Sequence, residues 1–139
     1  MSTTPKIIDE TEDLVRQLAT ELTRVREGEC LCCYVARQLD EYPCDGSLRH
    51  ALRFRDAVAP RATALKQRLG RVGGYCDCEV LLNGYTPHHR LWTPRREARG
   101  DDGFTYMVEA QPPDPLPPCA GVRRGAVEPC GNWERLRRW

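Results

Sequence analysis

The chain has 139 residues, 40% of them hydrophobic, and its 21 Lys and Arg against 20 Asp and Glu leave a net charge of +1. That is enough for one globular domain with some chain left over, and too little for two separate cores. No apolar run approaches the roughly 18–20 residues a membrane helix needs, and the first dozen residues are polar and acidic where a secretory signal would be basic and then apolar, so a cytoplasmic protein without membrane association is expected. Ser2 and Ser47 are the only serines, and neither a Gly-x-Gly-x-x-Gly nor a Gly-x4-Gly-Lys loop occurs, which excludes dinucleotide and P-loop chemistry. Eight cysteines remain to be explained. In a reducing compartment they read as metal ligands or working thiols before a disulfide framework.

Composition divides the chain into an N-terminal amphipathic helix within 1–29 that packs on the core, a Cys-rich core domain over 30–92, and a flexible Pro/Gly/Arg-rich extension over 93–139. Leu14, Leu18, Leu22 and Val25 form the helical stripe of the first part, and Gly28 stops it. Leu31, Val35 and Leu39 predict a second helix that Pro43 ends. Asp45 or Ser47 is expected to cap a third through Leu48, Leu52 and Arg55, and Pro60 to open a fourth carrying Ala62, Leu65 and Leu69. After the Gly73-Gly74 turn, residues 75–84 read either as a strand with Cys76, Cys78, Val80 and Leu82 on one face or as a short helix capped by Asp77 and ended by Gly84; the helix is favoured. Phe104, Tyr106 and Val108 alternate as a strand would, offering a short β-hairpin. Pro112 to Pro118 predicts polyproline, and Trp133 to Trp139 a short amphipathic helix. The fold class expected is mainly α, a small helical domain with Cys-rich turns closing a metal site and a disordered C-terminal extension.

Cys30 and Cys33 form a Cys-x2-Cys pair where loop becomes helix, a place that stabilises thiolates. Cys76 and Cys78 form a second close pair after the Gly-Gly turn, and Cys44 lies between the pairs, directly after Pro43. Zinc is the first candidate, because it accepts four thiolates tetrahedrally and needs no redox partner. Cys44, Cys76 and Cys78 are the first three expected ligands and Cys33 the fourth, with Cys30 as replacement or spare. The alternatives are reactive thiols or inert core, the latter suiting Cys32. Cys119 and Cys130 read as incidental, and His50, His88 and His89 as packing or surface groups before ligands.

The stretches Cys44-Asp45-Gly46-Ser47-Leu48-Arg49 and Gly73-Gly74-Tyr75-Cys76-Asp77-Cys78-Glu79-Val80-Leu81-Leu82-Asn83 resemble the bacterial family called domain of unknown function 2695. The Glu29-Cys30-Leu31-Cys32-Cys33-Tyr34-Val35 opening is similar to an actinobacterial branch. The resemblance implies that Cys44, Cys76 and Cys78 belong together, and it brings no activity with it. Asp45, Arg49, Glu79 and Asn83 match as well, and Arg49 is expected to close the site by pairing with Asp45 or Glu79.

The function expected is a small metal-binding protein whose structural zinc completes a thin core. A thiol-based redox or metal sensor is the second reading, and a nucleic-acid or protein interaction module using the Arg/Trp-rich extension the third. Against the third, 19 arginines and 2 lysines are interleaved with nearly as many acids. Catalysis is not expected, since the His-x-Glu and Pro-Cys-x2-Cys pattern of zinc deaminases is missing.

Overall fold

A computed structural model describes residues 4–137, with side chains from Asp9 onward. The helices are α1 (Thr4–Leu22), α2 (Leu31–Glu41), α3 (Arg49–Val58), α4 (Leu65–Arg71) and the single turn α5 (Asp77–Glu79), which widens into a π-helical turn over Val80–Gly84. Two antiparallel pairs follow. The strand β1 (Tyr85–Pro87) pairs with β4 (Trp133–Arg135), setting Pro87 opposite Trp133, and β2 (Arg96–Arg99) pairs with β3 (Thr105–Val108), setting Arg96 opposite Val108.

The expectation of a mainly α domain with a disordered extension is therefore corrected. Four strands in two small sheets stand beside the helices, and one sheet joins the C-terminal part of the chain to the core. Ala126, Cys130 and Trp133 are buried there. The terminal segment forms a strand at Trp133–Arg135 where a helix was expected, because β1 offers it a backbone ladder; Arg138 and Trp139 lie outside the described residues. The alternating segment around Tyr106 does form a strand, paired with Arg96–Arg99 across a tight loop. Residues 77–84 are helical, as favoured from sequence.

The core is assembled on α2. Leu31, Cys32, Tyr34, Val35 and Gln38 are buried, a spacing that puts them on one helical face. Against them pack Ala51 and Phe54 of α3, Leu65 and Leu69 of α4, Val80 and Trp133, and the Tyr34 and Phe54 rings lie 5.8 Å apart between centroids. Pro43 follows the last turn of α2, where the Tyr42 amide still bonds the Gln38 carbonyl at 2.7 Å.

α1 differs from the other long helices. Leu14, Val15, Leu18 and Leu22 are each more than half exposed, while Val25, the last member of the stripe read from sequence, packs against the core. The C-terminal end of the helix is tied down. Gln38 Nε2 donates to the Leu22 carbonyl at 3.1 Å, and the Tyr34 hydroxyl donates to the Thr23 carbonyl. Arg37 grips buried Glu29 through Nε and Nη2 at 2.9 and 2.8 Å and also reaches the Arg24 carbonyl, fixing the loop that leads to Cys30.

A candidate metal centre built from two cysteine clusters

The five central cysteines do not converge on one point. Cys30 and Cys33 meet Cys119 and Cys130, while Cys44 meets Cys76 and Cys78; within each group every sulfur lies within 4.8 Å of the others. All eight cysteines are free thiols. The Cys33 and Cys130 sulfurs stand 3.8 Å apart, and those of Cys76 and Cys78 3.3 Å. A disulfide would need about 2.05 Å, whereas four sulfurs around a tetrahedral ion at about 2.3 Å sit about 3.8 Å from one another. The spacing excludes disulfides and is close enough for each group to hold a metal ion.

In the first cluster Cys30 is the N-cap of α2, and its sulfur accepts the Cys33 amide at 3.3 Å. The Cys119 sulfur accepts the amides of Cys30 and Gly121 at 3.3 and 3.4 Å, and the Trp133 indole N–H donates to the Cys33 sulfur at 3.2 Å. Each donor favours negative sulfur. The segment carrying Cys119 is laid beside the loop before α2 by the Val122 amide, which bonds the Gly28 carbonyl at 3.0 Å. Cys130 enters through the β1–β4 pairing and through the Trp133 amide on its carbonyl at 3.1 Å. In the metal-free cluster the protons are unevenly shared: hydrogen bonding, first from Cys33, draws the Cys30 thiol down to about 5, the same contact pushes Cys33 well up, and burial raises Cys130. Cys30, Cys33, Cys119 and Cys130 could together hold a dication, which would remove that conflict by favouring all four as thiolates.

In the second cluster two loops are held together by the Asp77 amide, which donates to the Ser47 carbonyl at 3.0 Å. Gly73, at φ +86°, makes the turn into Cys76, and a Cβ on Gly74 would crowd Val80 Cγ2 at 3.0 Å and the Val80 and Leu69 backbone at 3.2 and 3.3 Å. Buried Asp77 does not cap its own turn. Its carboxylate accepts the His50 and Ala51 amides of α3 at 2.9 and 3.0 Å, serving as that helix's N-terminal cap from 26 residues away and anchoring the Cys76–Cys78 turn in the core. Asp45 accepts the Ser47 amide at 2.9 Å, and Arg49 bonds the Pro43 carbonyl at 2.7 Å with Asp45 3.7 Å away. Arg49 thus closes the Cys44 loop through Asp45 and not Glu79. Glu79 Oε1 instead receives the Cys76 thiol at 3.3 Å, and Asn83 Nδ2 bridges Glu79 Oε2 and the Gly73 carbonyl. Burial pushes Cys76 up to about 12, while hydrogen bonds, the Cys78 amide first, lower the Cys44 thiol.

Cys32 is buried in the hydrophobic core, outside both clusters, with its thiol raised by burial. His50 is buried too, its Nε2 3.2 Å from the Tyr42 carbonyl. His88 and His89 gather around Glu134, whose Oε2 lies 3.8 and 3.2 Å from their ring nitrogens; the same carboxylate takes the His89 amide, and His89 is first among the groups that lower its pKa. Cys119 and Cys130 are the ligand candidates that sequence reasoning passed over. A signal for one of them was present: Pro118-Cys119-Ala120-Gly121 repeats the pattern of Pro43-Cys44-Asp45-Gly46. In both turns the glycine amide bonds the cysteine sulfur at 3.4 Å, with φ of +88° at Gly121 and +87° at Gly46.

The fold and these clusters define a small protein of helices and two antiparallel strand pairs, with seven thiols in two groups close enough to hold metal ions. Residues 31–83 match the family described as protein of unknown function (DUF2695), so the resemblance read from the Cys-Asp and Gly-Gly-Tyr-Cys-Asp-Cys-Glu stretches holds. Two mycobacterial proteins support an actinobacterial type: the uncharacterized proteins Mb2294 of Mycobacterium bovis and Rv2271 of Mycobacterium tuberculosis are each 42% identical over 55 residues, covering 40% of this chain and 56% of theirs. The chain spans little more than half the length of these relatives. No solved structure matches it. Among the described residues no helix is long and apolar enough to cross a membrane.

Proposed function

We propose that this is a zinc-binding protein in which Cys30, Cys33, Cys119 and Cys130 hold a structural zinc ion that fastens the C-terminal segment to the helical core. The observation that carries the reading is the convergence of four free sulfurs within 4.8 Å from two parts of the chain about ninety residues apart. Four thiolates suit a tetrahedral, redox-inert ion, and zinc fits that donor set. The donors from Trp133, Gly121 and the Cys30 and Cys33 amides orient the sulfurs and spread their excess negative charge. A closed four-sulfur site leaves no position for substrate, so its role is structural.

The test is native mass spectrometry of the full chain purified under reducing conditions, with elemental analysis for zinc and iron. Zinc retained by the wild type, with one ion fewer in Cys119→Ser and Cys130→Ser, is the expected result. A chain at its metal-free mass, or one whose zinc content ignores both substitutions, overturns the reading.

A further inference from the structure

We infer that Cys44, Cys76 and Cys78 form a second zinc site, open at one coordination position and able to take an exogenous thiol there. Three sulfurs lie within 4.8 Å of one another, and among the described residues no other histidine, cysteine or carboxylate ligand atom shares that distance. Glu79 receives the Cys76 thiol on one oxygen and Asn83 on the other, but it does not lie within 4.8 Å of all three sulfurs. Three protein ligands and a vacant fourth position are the arrangement of an exchangeable site, in contrast to the closed cluster around Cys30.

The second observation is local. The Cys44 turn has the backbone of the Cys119 turn, with the same glycine in the left-handed region and the same amide-to-sulfur bond at 3.4 Å. One sequence device thus presents a sulfur to each cluster, and the first uses it in a complete set of four. Asp77 and Asn83 hold the opposing turn from the core side, so the three sulfurs are positioned before any ion arrives. Cys44 and Cys78 are only partly buried, leaving the fourth position within reach of a small molecule.

The class of the fourth ligand follows from the other three. Three thiolates outweigh the dication's charge and weaken it as a Lewis acid, so bound water gains little acidity and a soft sulfur donor is preferred. On binding, the incoming thiol gives its proton to solvent and its sulfur replaces water on the metal.

The experiment uses the full chain loaded with cobalt(II), whose visible bands report tetrahedral sulfur coordination. Two metals per chain are expected, one removed first by a weak chelator. Cys76→Ser and Cys78→Ser should lose only that weakly held ion, while Cys119→Ser loses only the other, so the failure of either site is recognised separately. Titration with 2-mercaptoethanol should shift the bands of Cys119→Ser and leave those of Cys76→Ser unchanged. A single metal per chain that survives Cys76→Ser overturns the second site. Two metals with bands unmoved by the thiol, or moved by imidazole alone, overturn its open, thiol-accepting character.

Discussion

Replacing Cys119 by serine removes one sulfur from the closed cluster at the edge of the hydrophobic core, while the buried core residues and the second cluster keep all their side chains. If zinc links the two segments, its loss frees a loop of 89–97 residues, the separations of Cys30 from Cys119 and of Cys33 from Cys130. Treated as a cross-link on the unfolded chain, a loop of that length corresponds to about 4–5 kcal/mol. At about 3 °C per kcal/mol for a chain of this size, the melting temperature should fall by about 12–15 °C. Circular dichroism melts of zinc-loaded wild type and Cys119→Ser give the difference directly. The same melts after complete chelation supply the control, because both chains then lack the link and should unfold together. A gap between them that persists without metal would mean that Cys119 acts through packing, and the cross-link reasoning would fail.

Asp77→Ala strands two buried amides at the start of α3 and should lower stability by about 2–4 kcal/mol, read as a shift in urea midpoint with unchanged slope. In metal-free folded protein, Cys44 should be alkylated first at neutral pH, since its thiol is lowered and partly accessible, and Cys32 last, since it is buried and raised; peptide mapping over a time course checks the order. Glu134 has a lowered pKa in the folded chain, so its contribution is present above the ordinary carboxylate range and is lost as pH falls through the folded value. Glu134→Gln should therefore lower stability at neutral pH, converge with the wild type at low pH and so flatten the fall between them, and an equal loss at every pH would contradict this.

Local periodicity carried the helices well. Leu31, Val35 and Pro43 mark α2, and Leu65 and Leu69 mark α4, because each helix buries one face, but α4 starts at Leu65 rather than at Pro60 and runs through Gly70 to Arg71. The limits of that reading appear at Asp77. Its place before a helical turn suggests a cap for that turn, whereas its carboxylate serves α3, a partnership between distant segments that no local pattern encodes. The last third of the chain was misread for a related reason. Its prolines and arginines provide little apolar surface of their own, and its order comes from partners elsewhere: β1 for Trp133–Arg135 and the Gly28–Cys30 loop for Cys119–Val122. Grouping by nearness in sequence placed Cys30 and Cys33 with Cys44, while the fold sends them to sulfurs some ninety residues further on.

The separation of Cys30 and Cys33 from their two partners also sets an order of events during synthesis. At about 5–20 residues per second, the first pair leaves the ribosome roughly 5–20 seconds before Cys119 and Cys130 follow. α2 follows early in that interval and the Cys44, Cys76 and Cys78 set is complete about halfway through it, but two sulfurs at the head of α2 still have no mates. If the cluster binds zinc as proposed, the nascent chain is then a half-built ligand set, open to oxidation or to a foreign metal, and it can close only once Cys119 and Cys130 are delivered.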